Sequence, residues 1–172
     1  ILLFINSHRK KLKEMKKTAI IYSYNSKNSG KVAEKIREEF GRDDIEAVNA
    51  EELDEEQFLA YDNLILSSPT WFDGELASYW DEFVPALENM NLSGKTMAIF
   101  GMGDQWGYPE NFGDAVGLLA GIMQSRGAKI VGETSTSGYT FEKSKAVING
   151  KFIGLMIDEE NQGQLTNERV RN

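Results

Sequence analysis

The stretch SSPTWFDGE, residues 67–75, follows a short apolar run, and so does GMGDQWGY, residues 101–108. Each apolar run is typical of a buried strand, and each stretch is followed by a helical pattern. Loops that leave the carboxyl ends of parallel strands line the ligand crevice of an open α/β sheet. We therefore expect the two loops at one sheet edge. There, one large aromatic ring from each would form a slot for a planar cofactor held by stacking.

Longer motifs extend this pattern over most of the chain. They are PTWxxGEL at 69–76, GxGDQxGYxxNFxDA at 101–115, GYxFxxSKAV at 138–147 and FxGLxIDExNQxxLT at 152–166. These motifs resemble those of the long-chain flavodoxins, small electron carriers that bind flavin mononucleotide (FMN). The resemblance runs from about residue 18 to the end of the chain. It implies an α/β fold in which a doubly wound, five-stranded parallel sheet of order 2-1-3-4-5 has helices on both faces.

Composition removes several other classes of protein. One domain with a sizeable core is expected from 172 residues. The chain has no cysteine, which excludes disulfides, thiol nucleophiles and iron–sulfur ligation. Its one histidine is His8, so a catalytic triad or a zinc site built from histidines is not expected. A net charge of −8 argues against nucleic acid and anionic membranes and favours a partner with a basic patch. No apolar run approaches the length of a membrane span.

The chain divides into two parts on sequence grounds. Residues 1–17 are basic, and we interpret them as an N-terminal extension of doubtful origin, with Met15 as the natural start or the whole stretch as a native extension. Residues 18–172 form the flavodoxin-like domain, with the long-chain insertion at about 133–153. A last helix from about residue 164 stops early by the standard of the family. We expect a cytoplasmic monomer.

Strand and helix patterns alternate along the domain, as a doubly wound sheet requires. Ser29 is predicted to cap the first helix and Gly41 to end it, while Asp54 caps a short second helix. Pro85 lies in the third helical pattern, where we expect a kink. The predicted strands are residues 19–22, 45–48, 63–66, 96–100 and 129–132, the last resuming at 152–157.

The first loop departs from the family pattern that the resemblance implies. That pattern, Thr/Ser-x-Thr-Gly-x-Thr, aligns with YNSKNS at residues 24–29, so Tyr24 replaces a hydroxyl and Lys27 replaces the glycine. Ser26 and Ser29 keep their hydroxyls. N–H groups and the helix dipole favour a phosphate at such a helix N-terminus. Two interpretations stay open: a donor-rich loop that still holds phosphate, with Lys27 paired or solvated, and a polar loop that has lost the site.

The resemblance also assigns roles in the two aromatic loops. It places Trp71 on the inner face of the flavin and Tyr108 on the outer face, and it puts the Phe72–Asp73 turn near flavin N5. Asp104 accepts a hydrogen bond from the flavin pyrimidine edge or is a turn residue, and Trp106 shields the ring or covers nearby apolar surface. The complete set of predicted FMN-binding residues is Ser23, Asn25, Ser26, Lys27, Asn28, Ser29, Ser68, Pro69, Thr70, Trp71, Phe72, Gly74, Gly101, Gly103, Asp104, Gly107, Tyr108 and Phe112.

Two functions of different classes follow. The first is a low-potential one-electron carrier with non-covalently bound FMN, which shuttles electrons between redox enzymes and is not itself an enzyme. The alternative is a flavodoxin-like binding or regulatory module that has lost or weakened FMN binding, and a flavin-dependent quinone reductase is a weaker third reading. Carboxylates at the predicted mouth would steer basic redox partners; they are Asp73, Glu75, Asp104, Glu110 and Asp114.

Overall fold

The computed structural model describes residues 17–172. The predictions that concern His8, Met15 and the N-terminal extension fall outside these residues. Within the described part of the chain, no helix is both long and apolar enough to cross a membrane.

A parallel sheet forms the centre of the domain, in the strand order β2-β1-β3-β4-β5. Its strands are β1 (Thr18–Tyr22), β2 (Glu46–Asn49), β3 (Asn63–Ser67), β4 (Thr96–Met102) and β5 (Lys129–Val131). A later strand, β9 (Leu155–Ile157), also pairs in parallel with β4. β5 pairs with the first half of β4 and β9 with the second half, so one edge position is filled by two segments of chain. The predicted fold and strand order are confirmed.

The insertion between β5 and β9 forms a small antiparallel sheet of its own. Its strands are β6 (Thr134–Ser135), β7 (Val147–Ile148) and β8 (Lys151–Phe152), with β8 in the middle. Phe152 therefore belongs to the insertion, and the main sheet resumes at Leu155, three residues later than predicted. The buried Phe152 ring packs against Phe112, Tyr139 and Phe141, and this aromatic cluster fixes the insertion to the domain.

Helices cover both faces of the sheet. They are α1 (Lys27–Phe40), α2 (Glu55–Leu59), α3 (Ser78–Leu87), α4 (Asp114–Ser125), α5 (Glu159–Gln162) and α6 (Thr166–Arg171), with 3-10 turns at Arg42–Asp44, Ala50–Glu52 and Gly163–Leu165. One core cluster joins Leu64 and Leu66 of β3 to Trp80 of α3 and Leu119 of α4. A second cluster, which includes Val32 of α1, lies on the other face. The alternation of side chains along β3 supplies both faces.

The first helix begins earlier than predicted. Ser26, not Ser29, is its N-cap: Ser26 has an extended backbone, and its hydroxyl accepts a hydrogen bond from the N–H of Ser29 at 3.3 Å. Ser29 lies buried in the first turn. The prediction failed because both serines are good caps and the pattern of apolar residues starts only at Val32. Gly41 ends α1 with a φ of 103°, and Asp54 caps α2, as predicted.

Candidate functional site

The loops after β3 and β4 meet at the carboxyl edge of the sheet and enclose a cavity of about 340 Å³. Trp71 comes from the first loop and Tyr108 from the second, and their side chains are 39% and 55% exposed. Aromatic side chains with this much exposure do not belong to the core. They offer apolar surface to a ligand that binds in the cavity. The cavity lining consists of Thr70, Trp71, Phe72, Gly103, Asp104, Tyr108, Asn111 and Phe112.

A second cavity, of about 230 Å³, connects these loops to the start of α1. It shares Trp71 and Tyr108 with the first cavity and is bordered by Ser26 and Asn28. Pro69 and Met102 also line it, as do Glu159 and Glu160 of α5. The predicted phosphate loop and the two aromatic loops therefore face one cleft.

A tight turn presents Trp71 to the cleft. The backbone groups of Trp71 and Glu75 bond to each other in both directions, at 3.0 and 2.8 Å. Between them, Phe72 has a φ of 44° and Gly74 a φ of 97°. A Cβ at Gly74 would lie 2.8 Å from a carboxylate oxygen of Asp114, so this glycine is required by the turn. It lies outside the cavity lining.

Two hydroxyls beside the Trp71 turn have structural partners. Ser68 is fully buried, and its hydroxyl donates to the carbonyl of Ala115 at 3.0 Å. The Thr70 hydroxyl accepts from the N–H of Ala115 at 3.3 Å while the residue still lines both cavities. These contacts fix the loop after β3 to the start of α4.

Strand β4 runs two residues further than predicted, so Gly101 is a buried strand residue. A Cβ there would meet Val116 at 2.2 Å and the Ser68 carbonyl at 2.7 Å. Gly101 therefore permits close packing beneath the site and does not line it. The loop itself begins at Gly103, whose own Cβ would lie 2.8 Å from the Phe112 ring.

Asp104 organises the loop that carries Tyr108. Its Oδ1 accepts hydrogen bonds from the N–H groups of Gly107 at 2.8 Å and Trp106 at 3.1 Å. The Nδ2 group of Asn161 donates to the same oxygen at 2.7 Å. The bonds from Gly107, Asn161 and Trp106 outweigh partial burial and lower the pKa of Asp104. The geometry supports the turn role among the two that the sequence left open. Gly107 is needed there, because a Cβ would lie 2.2 Å from Asp104.

The sequence reasoning missed the support beneath this loop. Asp158, fully buried, accepts from the side chain of Gln105 at 2.7 Å and from the backbone N–H of Asn161 at 2.9 Å. The Gly103 N–H also donates to the carbonyl of Ile157 at 3.0 Å. The motif around residues 152–166 contains both Asp158 and Asn161, and a polar pair just after a buried strand was the available signal.

The loop before α1 has a different arrangement. Ser23 is buried, and its hydroxyl donates to the carboxylate of Glu51. Asn25 Nδ2 donates to the other Glu51 oxygen at 2.5 Å. Lys27 and Asn28 are exposed at the helix start. Of the predicted loop residues, Ser26 and Asn28 border the cleft, whereas Ser23, Asn25, Lys27 and Ser29 lie outside the lining.

The acidic rim is smaller than predicted. Asp73, Glu75 and Glu110 are exposed. Asp114 is buried, and its carboxylate accepts from the backbone N–H of Lys145 at 2.7 Å and pairs with the Lys145 ammonium at 3.0 Å. It fastens the insertion to α4 and does not belong to the mouth, because its position at the start of α4 points it under the insertion.

Comparison with known proteins shows which family shares this architecture. The family model described as flavodoxin matches residues 20–172. The chain belongs to the flavodoxin family. It is 42% identical to a flavodoxin of Nostoc sp. strain PCC 7120 over 156 residues, which is 91% of this chain and 92% of the relative. It is also 42% identical to flavodoxin 1 of Escherichia coli K12 over 154 residues, 89% of this chain and 88% of the relative.

Solved flavodoxin structures share the fold. The Fusobacterium nucleatum flavodoxin bound to flavin mononucleotide superposes with a TM-score of 0.86 and 34% identity, covering 91% of this chain and 93% of that one. A lysine-to-glycine variant of that protein, also bound to flavin mononucleotide, superposes equally well, with a TM-score of 0.86. The family prediction is confirmed. None of these comparisons favours the alternative of a module that has lost its flavin.

Proposed function

We propose that this flavodoxin is a low-potential electron carrier that holds FMN non-covalently in the cleft described above. The observation that carries the proposal is that Trp71 and Tyr108, on separate loops, line one cavity of about 340 Å³ that adjoins the start of α1. The flavin ring would lie between the two side chains and the phosphate at the helix N-terminus. Bound FMN supplies one-electron transfer chemistry.

The polar groups around the cleft fit such a ligand. The first N–H groups of α1 have no carbonyl within the helix to bind, and Ser26 and Asn28 bring this end of the helix to the cleft.

The Phe72 turn would bring backbone groups to the flavin edge. Phe72 has a φ of 44°, a conformation that bulky residues rarely adopt. The reciprocal backbone bonds of Trp71 and Glu75 close the turn around it and stabilise this conformation. The Phe72 side chain is mostly exposed and still lines the cavity. We infer that the turn already has its bound conformation before the flavin ring binds. Binding then avoids the loss of affinity that ordering the turn would cause.

Flavodoxins act with redox partner proteins, and we propose that partners of this chain present a basic surface. Asp73, Glu75 and Glu110 supply exposed negative charge near exposed aromatic rings. Such a field speeds the encounter with a basic partner at low ionic strength. The monomeric state, the cytoplasmic location and the absence of a catalytic activity of its own remain predictions.

The test is to purify the protein, remove any flavin, and titrate the apoprotein with FMN and with riboflavin while flavin fluorescence is recorded. We expect one FMN per chain, quenched fluorescence, and much weaker binding of riboflavin. Reduction of the complex in an anaerobic cell should show two separate one-electron steps. Absence of saturable FMN binding would contradict the proposal.

A further inference from the structure

Asp158 is a fully buried carboxylate at the sheet edge where the cleft opens. It directly follows β9, which pairs with the second half of β4. Four nitrogens donate to the carboxylate: the backbone and side-chain nitrogens of Gln105, at 3.2 and 2.7 Å, and those of Asn161, at 2.9 and 3.0 Å. This set of donors favours the ionised form, because a neutral carboxylic acid would need an acceptor for its own proton.

The charge of Asp158 has no cation in contact with it. Among residues 17–172, no lysine or arginine forms an ion pair with this carboxylate. The Arg169 guanidinium lies 3.9 Å from the centroid of the Tyr139 ring and donates to Gln162. Burial raises the pKa of Tyr139 to about 12, Arg169 opposes this rise, and the charge of Asp158 adds to it. The field of Asp158 is therefore felt by groups beyond its hydrogen-bond partners.

The carboxylate also lies close to the cleft. Gly103 and Asp104 line both cavities, and the next residue along the chain is Gln105. The backbone nitrogen of Gln105 is 3.2 Å from Asp158 Oδ2, and standard backbone geometry puts that nitrogen about 2.4 Å from the Cα of Asp104. Asp158 Oδ2 is therefore within about 6 Å of the Cα of a cavity-lining residue. A ring bound in this cavity would have a buried negative charge behind one of its walls.

We propose that the buried charge of Asp158 lowers the potential of the second electron step of bound FMN, without contact between Asp158 and the flavin. The inference rests on the proposed function, because it concerns FMN in the same cleft. The second electron comes from a redox partner and adds one negative charge to the ring when no proton accompanies it. The carboxylate repels this charge through the protein interior, where salt screens the interaction much less than at the surface.

The experiment removes the charge in two ways and includes a matched control. Asp158→Asn replaces the carboxylate by an amide of the same shape. Asn161→Lys keeps Asp158 and brings an ammonium to it from a partly buried position on α5. Asn161→Ala is the control, because it removes the same side-chain contacts without a change of charge. The potential of the second electron step is measured by spectroelectrochemistry, with dithionite as reductant, at about 0.05 M and about 1 M salt.

Asp158→Asn should favour the second reduction about tenfold, a rise of ~59 mV in potential. Asn161→Lys should favour it at least about threefold, because its ammonium offsets the charge from a more exposed position. Asn161→Ala should change it less than about twofold, since a loosened loop weakens the binding of FMN in both redox states. The shift in Asp158→Asn should be the same at both salt concentrations.

A shift no larger than that of Asn161→Ala in both charge variants would overturn the proposal. So would a shift in Asp158→Asn that disappears at high salt, because an exposed carboxylate would then be responsible. If Asp158→Asn does not fold, Asn161→Lys decides alone.

A further readout needs no flavin. The ¹³C NMR spectrum of the apoprotein near neutral pH should show the Asp158 side-chain carbon at the chemical shift of an ionised carboxylate, with the signal assigned by its loss in Asp158→Asn. A protonated Asp158 would overturn the inference. If the wild type binds no FMN, the proposed function fails and the inference fails with it. Wild-type binding with unshifted potentials in the charge variants overturns the inference alone, so the two failures are distinguishable.

Discussion

Asn161 donates a hydrogen bond from Nδ2 to the carboxylate of Asp104 at 2.7 Å, although 57 residues separate them in the chain. Asp104 closes the turn that leads to Tyr108, and Asn161 lies in α5. The same Asn161 group also contacts Asp158, which holds Gln105. The loop that carries Tyr108 is thus fixed from below by the segment after β9, and its geometry depends on that segment.

This relationship predicts that Asn161→Ala weakens flavin binding without touching the flavin. The Asp104 turn loses one of its three donors, so Tyr108 is held less firmly and must be ordered on binding. Hydrogen bonds to charged groups contribute about 1.5–3 kcal/mol when buried, and partial exposure here reduces the expected loss to about 1 kcal/mol. FMN and riboflavin titrations should weaken by the same factor, because the ring is the part affected. Asn167→Ala, whose side chain binds Lys35 far from the loop, is the control. A loss confined to FMN would contradict this role.

Trp71→Ala should weaken FMN binding by about 1–3 kcal/mol, from lost burial and stacking of a large ring. Trp106→Ala is the comparison, since that ring is 70% exposed and lines neither cavity described above. We expect a change below about 0.5 kcal/mol for Trp106. Fluorescence titration of both variants decides the matter. An unchanged affinity in Trp71→Ala would remove Trp71 from the site, whereas a large loss in Trp106→Ala would show that this ring shields the flavin.

Sequence patterns within a few residues predicted the main helices and strands correctly. They failed at positions whose structure depends on contacts with distant parts of the chain. Gly41 and Asp54 were assigned correctly because a cap depends on neighbours within four residues. The start of α1 was misplaced by three residues, because Ser26 and Ser29 are equivalent as caps until the backbone around them is known. Gly101 was assigned to a loop, since nothing local shows that β9 would pair with the end of β4 and lengthen it.

The site was predicted in the same uneven way. Trp71 and Tyr108 line one cavity as expected, because parallel strands bring the loops after them to one edge. Asp114 was placed at the mouth from its sequence position, but it is buried by the insertion through Lys145, 31 residues later. Glu51 was not among the predicted residues of the first loop, since no pattern links residue 51 to Ser23 and Asn25, yet its carboxylate binds both side chains. Contacts of this kind depend on tertiary structure and leave no periodic trace.

Lys27 is exposed at the start of α1, the helix end at which we propose that the FMN phosphate lies. If it pairs with the phosphate, FMN affinity should fall more steeply with salt in the wild type than in Lys27→Thr, because screening removes an attraction that the variant lacks. Riboflavin should show no such difference between the two proteins. The dissociation constants are measured across a salt series. Parallel salt slopes for FMN in both proteins would show that Lys27 is only solvated.

The lowered pKa of Asp104 predicts how acid affects the Tyr108 loop. The ordinary value for the carboxyl is 3.8, and hydrogen bonds from Gly107, Asn161 and Trp106 hold the folded value below it. A group with a depressed folded pKa stabilises the protein fully above the unfolded value, and this stabilisation is lost as pH falls through 3.8 toward the folded pKa. Asp104→Asn should therefore be less stable than wild type at neutral pH, and the difference should narrow in acid. Urea unfolding at several pH values measures it, and a difference independent of pH would contradict the assignment.

The charge of Asp73 should lower the potential of the second electron step of bound FMN, because negative charge accumulates on the reduced ring. A carboxylate about 8 Å from the ring costs about 2 kcal/mol at an effective dielectric near 20. This cost corresponds to roughly 90 mV before screening, with ~59 mV for each tenfold change in a one-electron equilibrium. Asp73 is exposed, and water and salt reduce the effect severalfold. Asp73→Asn should raise the potential by some tens of millivolts in spectroelectrochemistry. Glu88→Gln is the control, because Glu88 follows the far end of α3 and carries the same charge. The variant Asp73→Asn should also react more slowly with a basic partner at low salt, with less difference at high salt. No upward shift relative to Glu88→Gln would mean that the Phe72–Asp73 turn does not face the flavin.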